Sequence, residues 1–158
     1  MLQEGPRTAA TVGIAPEPAS GLRRELGMAL LLITHDLGVV AESCDEVIVM
    51  YAGHIVESGD VETIFRAPRH PYTIGLMDSL PKVTEDEEWL RPITGSPPSL
   101  IDLPPGCPFH PRCFLARERC RQENPPLAPV EGSAHQSACH FSDELIGHKS
   151  KFSQEAVA

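Results

Sequence analysis

An α/β fold that runs into a small, irregular, cysteine-rich extension is what the sequence predicts, on three observations. Apolar runs alternate with capped helical segments between residues 28 and 65, apolar periodicity fades after residue 81, and four cysteines fall within 33 residues late in the chain. The 158 residues are 41% hydrophobic and 22% charged, a mixture that supports a real core. Sixteen prolines against 2 Tyr and 1 Trp put much of the length into turns and extended connections.

The elements follow in order. Residues 1–21 are rich in Ala, Gly, Pro and Thr without an apolar period and are expected to form a disordered leader. Leu22 to Gly27 has the form of a last helical turn closed by a glycine cap, and Met28 to Ile33 reads as a strand buried on both faces of a parallel sheet. Asp36 is placed to cap a helix from Leu37 to about Ser43, and Glu46 to Tyr51 is a second buried strand. Ala52-Gly53 then turns into His54 to Glu57. Asp60 caps another helix carrying Ile64 and Phe65, ended by Pro68, and Tyr72 to Leu80 is a further short helix stopped by Pro81. Thr84 and Glu87 have capping-box spacing for a helix carrying Trp89, and Gly95 through Pro105 is an extended linker.

Net charge and hydropathy narrow the function classes. With 13 Lys and Arg against 22 Asp and Glu the formal charge is -9, which argues against a general nucleic-acid or anionic-membrane binder. The longest aliphatic run, Met28 to Ile33, is far short of the roughly 20 residues that cross a bilayer, so no membrane insertion is expected. Met1 to Ser20 lacks the apolar run of a secretory signal, and the expected location is cytoplasmic. Cysteines in such a compartment point to metal binding or core thiols rather than a disulfide framework.

Cys107, Cys113, Cys120 and Cys139 are separated by five, six and eighteen residues. A segment so poor in large apolar side chains needs another cross-link, and a metal centre bound by four thiolates would supply it. Without paired C-x₂-C knuckles, an iron–sulfur cluster is at least as good a reading as zinc. Arg112, Arg117, Arg119 and Arg121 surround these thiols in sequence and are expected to offset thiolate charge and lower the thiol pKa. Reduced loop thiols, or a disulfide pair formed on purification, are the plain alternatives. His110, His135 and His140 are alternative ligands or surface residues, and Cys44 stands apart as a small buried hydrophobe. His35, in Ile33-Thr-His-Asp36, sits where a strand ends and a helix starts, the place where open parallel sheets bind ligands. A structural hydrogen bond is the equal alternative there.

Leu31 to Ala41 (LLITHDLGVVA) resembles the switch segment of ABC-transporter ATPases, and Val47 to Gly59 resembles the strand pair after that switch. His70-Pro71-Tyr72-Thr73, Gly95-Ser-Pro-Pro98 and the Cys107 to Cys139 block are similar to the C-terminal extension of the oligopeptide and dipeptide importer subfamily. The resemblance implies residues 22–81 as the C-terminal part of a P-loop ABC-type nucleotide-binding domain, 82–141 as the extension and 142–158 as a tail. It implies His35 as the switch histidine at the ATP γ-phosphate, with Mg²⁺-bound ATP as the family's cofactor, and the four cysteines as holders of a [4Fe-4S] cluster. Implied partners are the permease subunits and a second ATP-binding subunit, with the assembly peripheral on the inner face of the cell membrane and peptide met only indirectly.

The sequence departs from that family at the phosphate site. It has no G-x-x-x-x-G-K-[ST] loop, no LSGGQ-like signature and no Walker-B acidic pair, so the chain alone is expected neither to bind ATP tightly nor to hydrolyse it. Three readings follow: a C-terminal piece of a peptide importer's ATP-binding subunit, a free-standing iron–sulfur or zinc module derived from one, and an inactive pseudogene product.

Overall fold

The computed structural model describes residues 8–11, 27, 29–79 and 93–147, and the chain divides into two compact units, Met1–Cys44 and Asp45–Ala158. The expected helical turn at 22–26 and the Trp89 helix lie outside the described residues.

In the first unit, strand β1 (Thr8–Thr11) pairs in parallel with β2 (Ala29–Leu32), Thr8 opposite Ala29 and Thr11 opposite Leu32. This corrects the expectation of a structureless leader at that point. It also corrects the expected burial of β2, whose Leu31 is 57% exposed while the neighbouring Ile33 is 69% exposed. Parallel strands are buried by helices laid across both faces, and helix α1 (Leu37–Ser43) buries none of its residues. The start of α1 follows the sequence: Asp36 Oδ1 accepts the N–H groups of Gly38 at 2.9 Å and Val39 at 3.2 Å.

The second unit is built on an antiparallel sheet of order β3-β4-β6-β5, from β3 (Glu46–Tyr51), β4 (His54–Asp60), β5 (Ala128–Pro129) and β6 (Gln136–Ser137). Ala52 (φ 49°) and Gly53 (φ 80°) both lie in the left-handed region, as a two-residue hairpin turn requires. A bulge between Val49 and Met50 shifts the register, leaving Met50 opposite Ile55. β3 alternates between half-buried and exposed positions, with Ile48 60% and Met50 57% exposed, so it is not the doubly buried strand its apolar run predicts. Antiparallel sheets cover one face only, and a run of β-branched residues does not reveal which kind of partner it has.

Helix α2 (Val61–Arg66) is capped by Asp60, whose Oδ1 accepts Thr63 N–H at 2.8 Å; the Thr63 side chain first, and then this backbone bond, hold the Asp60 carboxyl below its usual pKa. Helix α3 (Pro71–Asp78) starts one residue earlier than expected. Its cap is a ring nitrogen: His70 Nδ1 accepts Tyr72 N–H at 3.1 Å. Ile64 and Phe65 of α2 and Ile74 and Met77 of α3 are buried. An apolar cluster joins Tyr51, Val56 and Phe109, with Tyr51 and Phe109 edge to face at 5.1 Å and Tyr72 against both. The cysteine-rich segment thus donates an aromatic anchor to the hairpin, and β6 pairs directly with β4, Glu57 opposite Ser137. Its short helix α4 spans Glu118–Gln122.

Candidate functional site

Cys107, Cys113, Cys120 and Cys139 all line one small cavity of about 10 Å³, room for about one water, together with His70, Phe109 and Phe141. Local turns bring them there. Gly106, at φ +73°, lets Cys107 N–H reach Cys120 C=O at 2.8 Å, so a tight backbone approach joins the first thiol to the third. Cys113 closes the 3-10 turn His110–Arg112, and Cys120 sits buried inside α4. None of the five cysteines is in a disulfide.

Backbone N–H groups two residues ahead act on three of the four sulfurs: Phe141 N–H donates to Cys139 Sγ at 3.4 Å, and the N–H groups of Phe109 and Leu115 favour the thiolates of Cys107 and Cys113, while His110 N–H donates to Cys107 C=O at 3.0 Å. Such donors favour thiolate, yet burial outweighs them. Desolvation raises Cys107, pushes Cys113 up to about 12 and Cys139 up to about 11, and the sulfurs raise one another by mutual repulsion. At neutral pH these are protonated thiols.

The expected role of the arginines is corrected. Arg112 donates to the carbonyls of Thr94 and Ile93 and to the Tyr51 hydroxyl. Arg117 pairs with Glu144 and lies 4.2 Å over the Phe141 ring, Arg119 pairs with Glu123, and Arg121 with Glu118. Each guanidinium ties the segment together, and none is among the causes acting on Cys107, Cys113 or Cys139, although Arg117 also interacts electrostatically with Cys120. Of the histidines, His110 and His140 line the same cavity as the thiols, with His110 Nδ1 3.0 Å from Cys107 C=O and His140 Nε2 3.1 Å from Glu123 C=O, whereas His135 is paired with Glu57. Among the described residues no group of three or more His, Cys, Asp or Glu side chains is arranged to hold a metal ion as it stands, which supports neither the expected [4Fe-4S] cluster nor the zinc alternative.

A buried polar knot beside this cavity has no counterpart in the sequence reading. Glu57, without solvent exposure, accepts the backbone N–H groups of Arg69 and His70 and, at 2.7 Å, the Nε2–H of buried His135. Ser137 donates to Arg69 C=O at 2.9 Å. A carboxylate inside the strand pattern Ile55-Val-Glu57 was the available signal, because burial requires such a group to find partners. A second cavity of about 220 Å³, lined in part by His54, His70, Cys107, Phe109 and Asn124, adjoins the thiol cavity through shared His70, Cys107 and Phe109. Burial pushes the His70 imidazole down to about 3, so the ring is neutral.

His35 lies in the first unit, exposed, between β2 and the Asp36 cap of α1. Cys44, expected in the core, is half-buried at the C-terminal cap of α1. No described helix is long and apolar enough to cross a membrane.

Comparison with known proteins adds three findings. Residues 56–120 match the family described as "Oligopeptide/dipeptide transporter, C-terminal region". The chain is 44% identical over 144 residues to the Dipeptide transport ATP-binding protein DppD of Escherichia coli, covering 89% of this chain and 44% of that protein. It is 56% identical over 100 residues to the Oligopeptide transport ATP-binding protein OppD of Haemophilus influenzae, covering 63% of this chain and 31% of that one. The chain thus spans less than half the length of these curated relatives.

Proposed function

Since the chain belongs to the oligopeptide/dipeptide transporter family as part of an ATP-binding subunit, we propose that it serves the ATP-driven import of di- and oligopeptides. It would do so docked to permease subunits, peripheral on the cytoplasmic face of the membrane. The observation that carries this is the E. coli match, which at 89% of the chain necessarily runs through both the His35 segment and all four late cysteines. His35, at the end of a strand and before a capped helix, is our candidate for the γ-phosphate contact, with Mg²⁺-bound ATP supplied to a site completed by phosphate-loop, signature and Walker-B segments that this sequence does not contain. Residues 22–81 and 82–141 are the corresponding domain part and extension.

The expected outcome is no ATP turnover by the purified chain above buffer, and binding to membranes that carry the peptide permease pair but not to membranes lacking it. Turnover abolished by His35→Ala would overturn the first half, and equal binding to both membranes the second.

The thiol cavity supports a further reading, in which the four cysteines hold a metal centre within this subunit, an iron–sulfur cluster being the candidate. The backbone N–H groups on three sulfurs favour it. A bound cation would reverse the desolvation that now keeps the thiols protonated, and an iron–sulfur centre supplies electron-transfer or structural cross-linking chemistry. Anaerobic purification followed by iron, sulfide and zinc analysis tests it. The expected result is stoichiometric iron and sulfide lost in Cys113→Ser and Cys120→Ser; metal content unchanged by either substitution contradicts it.

A further inference from the structure

We propose that β3 is a dimerisation edge: a second copy of this chain pairs with it antiparallel about a two-fold axis at Val49, so that two four-stranded sheets join into one.

β3 stands first in the order β3-β4-β6-β5, and among the described residues no strand pairs with its outer side. An unpaired edge presents a row of free N–H and C=O groups, and natural sheets guard such edges with short strands, proline, lysine or a bulge. The two edges of this sheet differ in that respect. β5 is two residues long and ends in Pro129, so it is blocked. β3 has six residues, Glu46–Tyr51, with no Pro, Gly, Lys or Arg among them. The bulge leaves it unguarded too. Val49 lies opposite Glu57 and Met50 opposite Ile55, which makes Val56 of β4 the extra residue and keeps β3 regular. Ile48 and Met50 are exposed on the open face, with exposed Ile55 across from Met50.

Face and charge choose the occupant and its register. A second copy offers the same unguarded edge and the same aliphatic stripe, and because the other edge is blocked the pairing closes at two copies. Glu46 and Asp60 stand opposite one another at one end of the β3–β4 pair. Parallel pairing of two β3 strands sets these acidic ends side by side, whereas antiparallel pairing sends them to opposite ends of the joined sheet. Directly opposed residues share a face, so exposed Ile48 must meet an exposed residue of the second copy. Ile48 opposite Ile48 puts Glu46 beside Met50, and Met50 opposite Met50 carries Ile48 past the strand to Ala52. Ile48 opposite Met50 pairs all of Val47 to Tyr51, leaves Glu46 outside, and sets Val49 on the axis. Each row of the open face then runs from Ile55 through Met50 to Ile48 of the second copy, and the axis repeats it.

The experiment follows the full chain, kept reduced, by sedimentation velocity over a range of concentrations and by amide hydrogen exchange at low and high concentration. The expected result is a monomer–dimer equilibrium without larger species, and exchange in β3 that slows with concentration while exchange at Ala128 of β5 does not. Ile48→Lys and Met50→Lys are each expected to weaken the dimer about tenfold or more, because each sets a charge against an aliphatic neighbour. Ile48→Lys combined with Met50→Glu is expected to recover part of that loss, since each introduced lysine faces an introduced glutamate across the axis. A chain that stays monomeric up to ~1 mM overturns the proposal, and so do species that grow without limit or a dimer that neither lysine substitution weakens. No recovery in the double variant overturns the register at Val49. Should the variants fail to fold, the unsubstituted chain decides, and exchange in β3 that is independent of concentration overturns the proposal.

Discussion

Glu57 has no access to solvent and three N–H groups pointed at its carboxylate, from Arg69, His70 and His135, and these bonds join β4, the entrance to α3 and the segment leading into β6. Removing it leaves those donors buried and unpaired, each a loss of about 1–3 kcal/mol. Glu57→Ala is expected to lower stability by at least about 3 kcal/mol in urea unfolding, and His135→Ala by less, because two backbone bonds survive it. Gly106 is constrained differently. At φ +73° a Cβ there would stand 2.4 Å from Cys120 C=O, so Gly106→Ala must push Cys107 away from α4. The expected outcome is a stability loss of about 2 kcal/mol or more together with faster alkylation of Cys107, read by mass spectrometry. The raised thiols set a pH window. Cys113 ionises near 9 when unfolded and near 12 when folded, with burial as the main cause. Its contribution is fully present below pH 9 and is lost as pH rises toward 12. The urea midpoint of the metal-free chain is expected to fall from pH 9 upward, and to fall less in Cys113→Ser.

Among the elements, those set by neighbours in sequence were legible and those set by distant partners were not. Asp36 and Asp60 announce α1 and α2, Ala52-Gly53 announces the hairpin, and the structure has all three. The burial of β2 and β3 was misjudged because a run such as Val47-Ile-Val-Met50 fits a parallel or an antiparallel neighbour equally well. β5 and β6, two residues each, carry no periodic signal at all, and β6 exists because Glu57 and Ser58 of β4 offer it an edge. The open side of the hairpin shows Ile48, Met50 and Ile55. Met50→Lys is expected to change stability by no more than about 0.5 kcal/mol while reducing self-association in light scattering, because it charges an exposed strand without touching the core.

For the whole molecule, the larger unit begins at Asp45 and holds the hairpin, the apolar cluster of Tyr51, Val56 and Phe109, and the four thiols. A chain starting at Asp45 is expected to unfold with the same urea midpoint as the full chain when followed by Tyr51 and Tyr72 absorbance; a lower midpoint would show that Met1–Cys44 supports it. Of the candidate site, the sequence alone determined the cysteines and their proximity, His35 at a strand end, the caps and the family resemblance, because each is written in residue type and short spacing. Only the tertiary structure decided that the arginines pair with glutamates and carbonyls instead of the thiols, that burial rather than charge governs the sulfurs, and that Glu57 and His70 stand beside them. Those facts depend on which groups meet across tens of residues of chain, and in a low-dielectric interior the partner that arrives, more than the residue's own chemistry, fixes its protonation and its role.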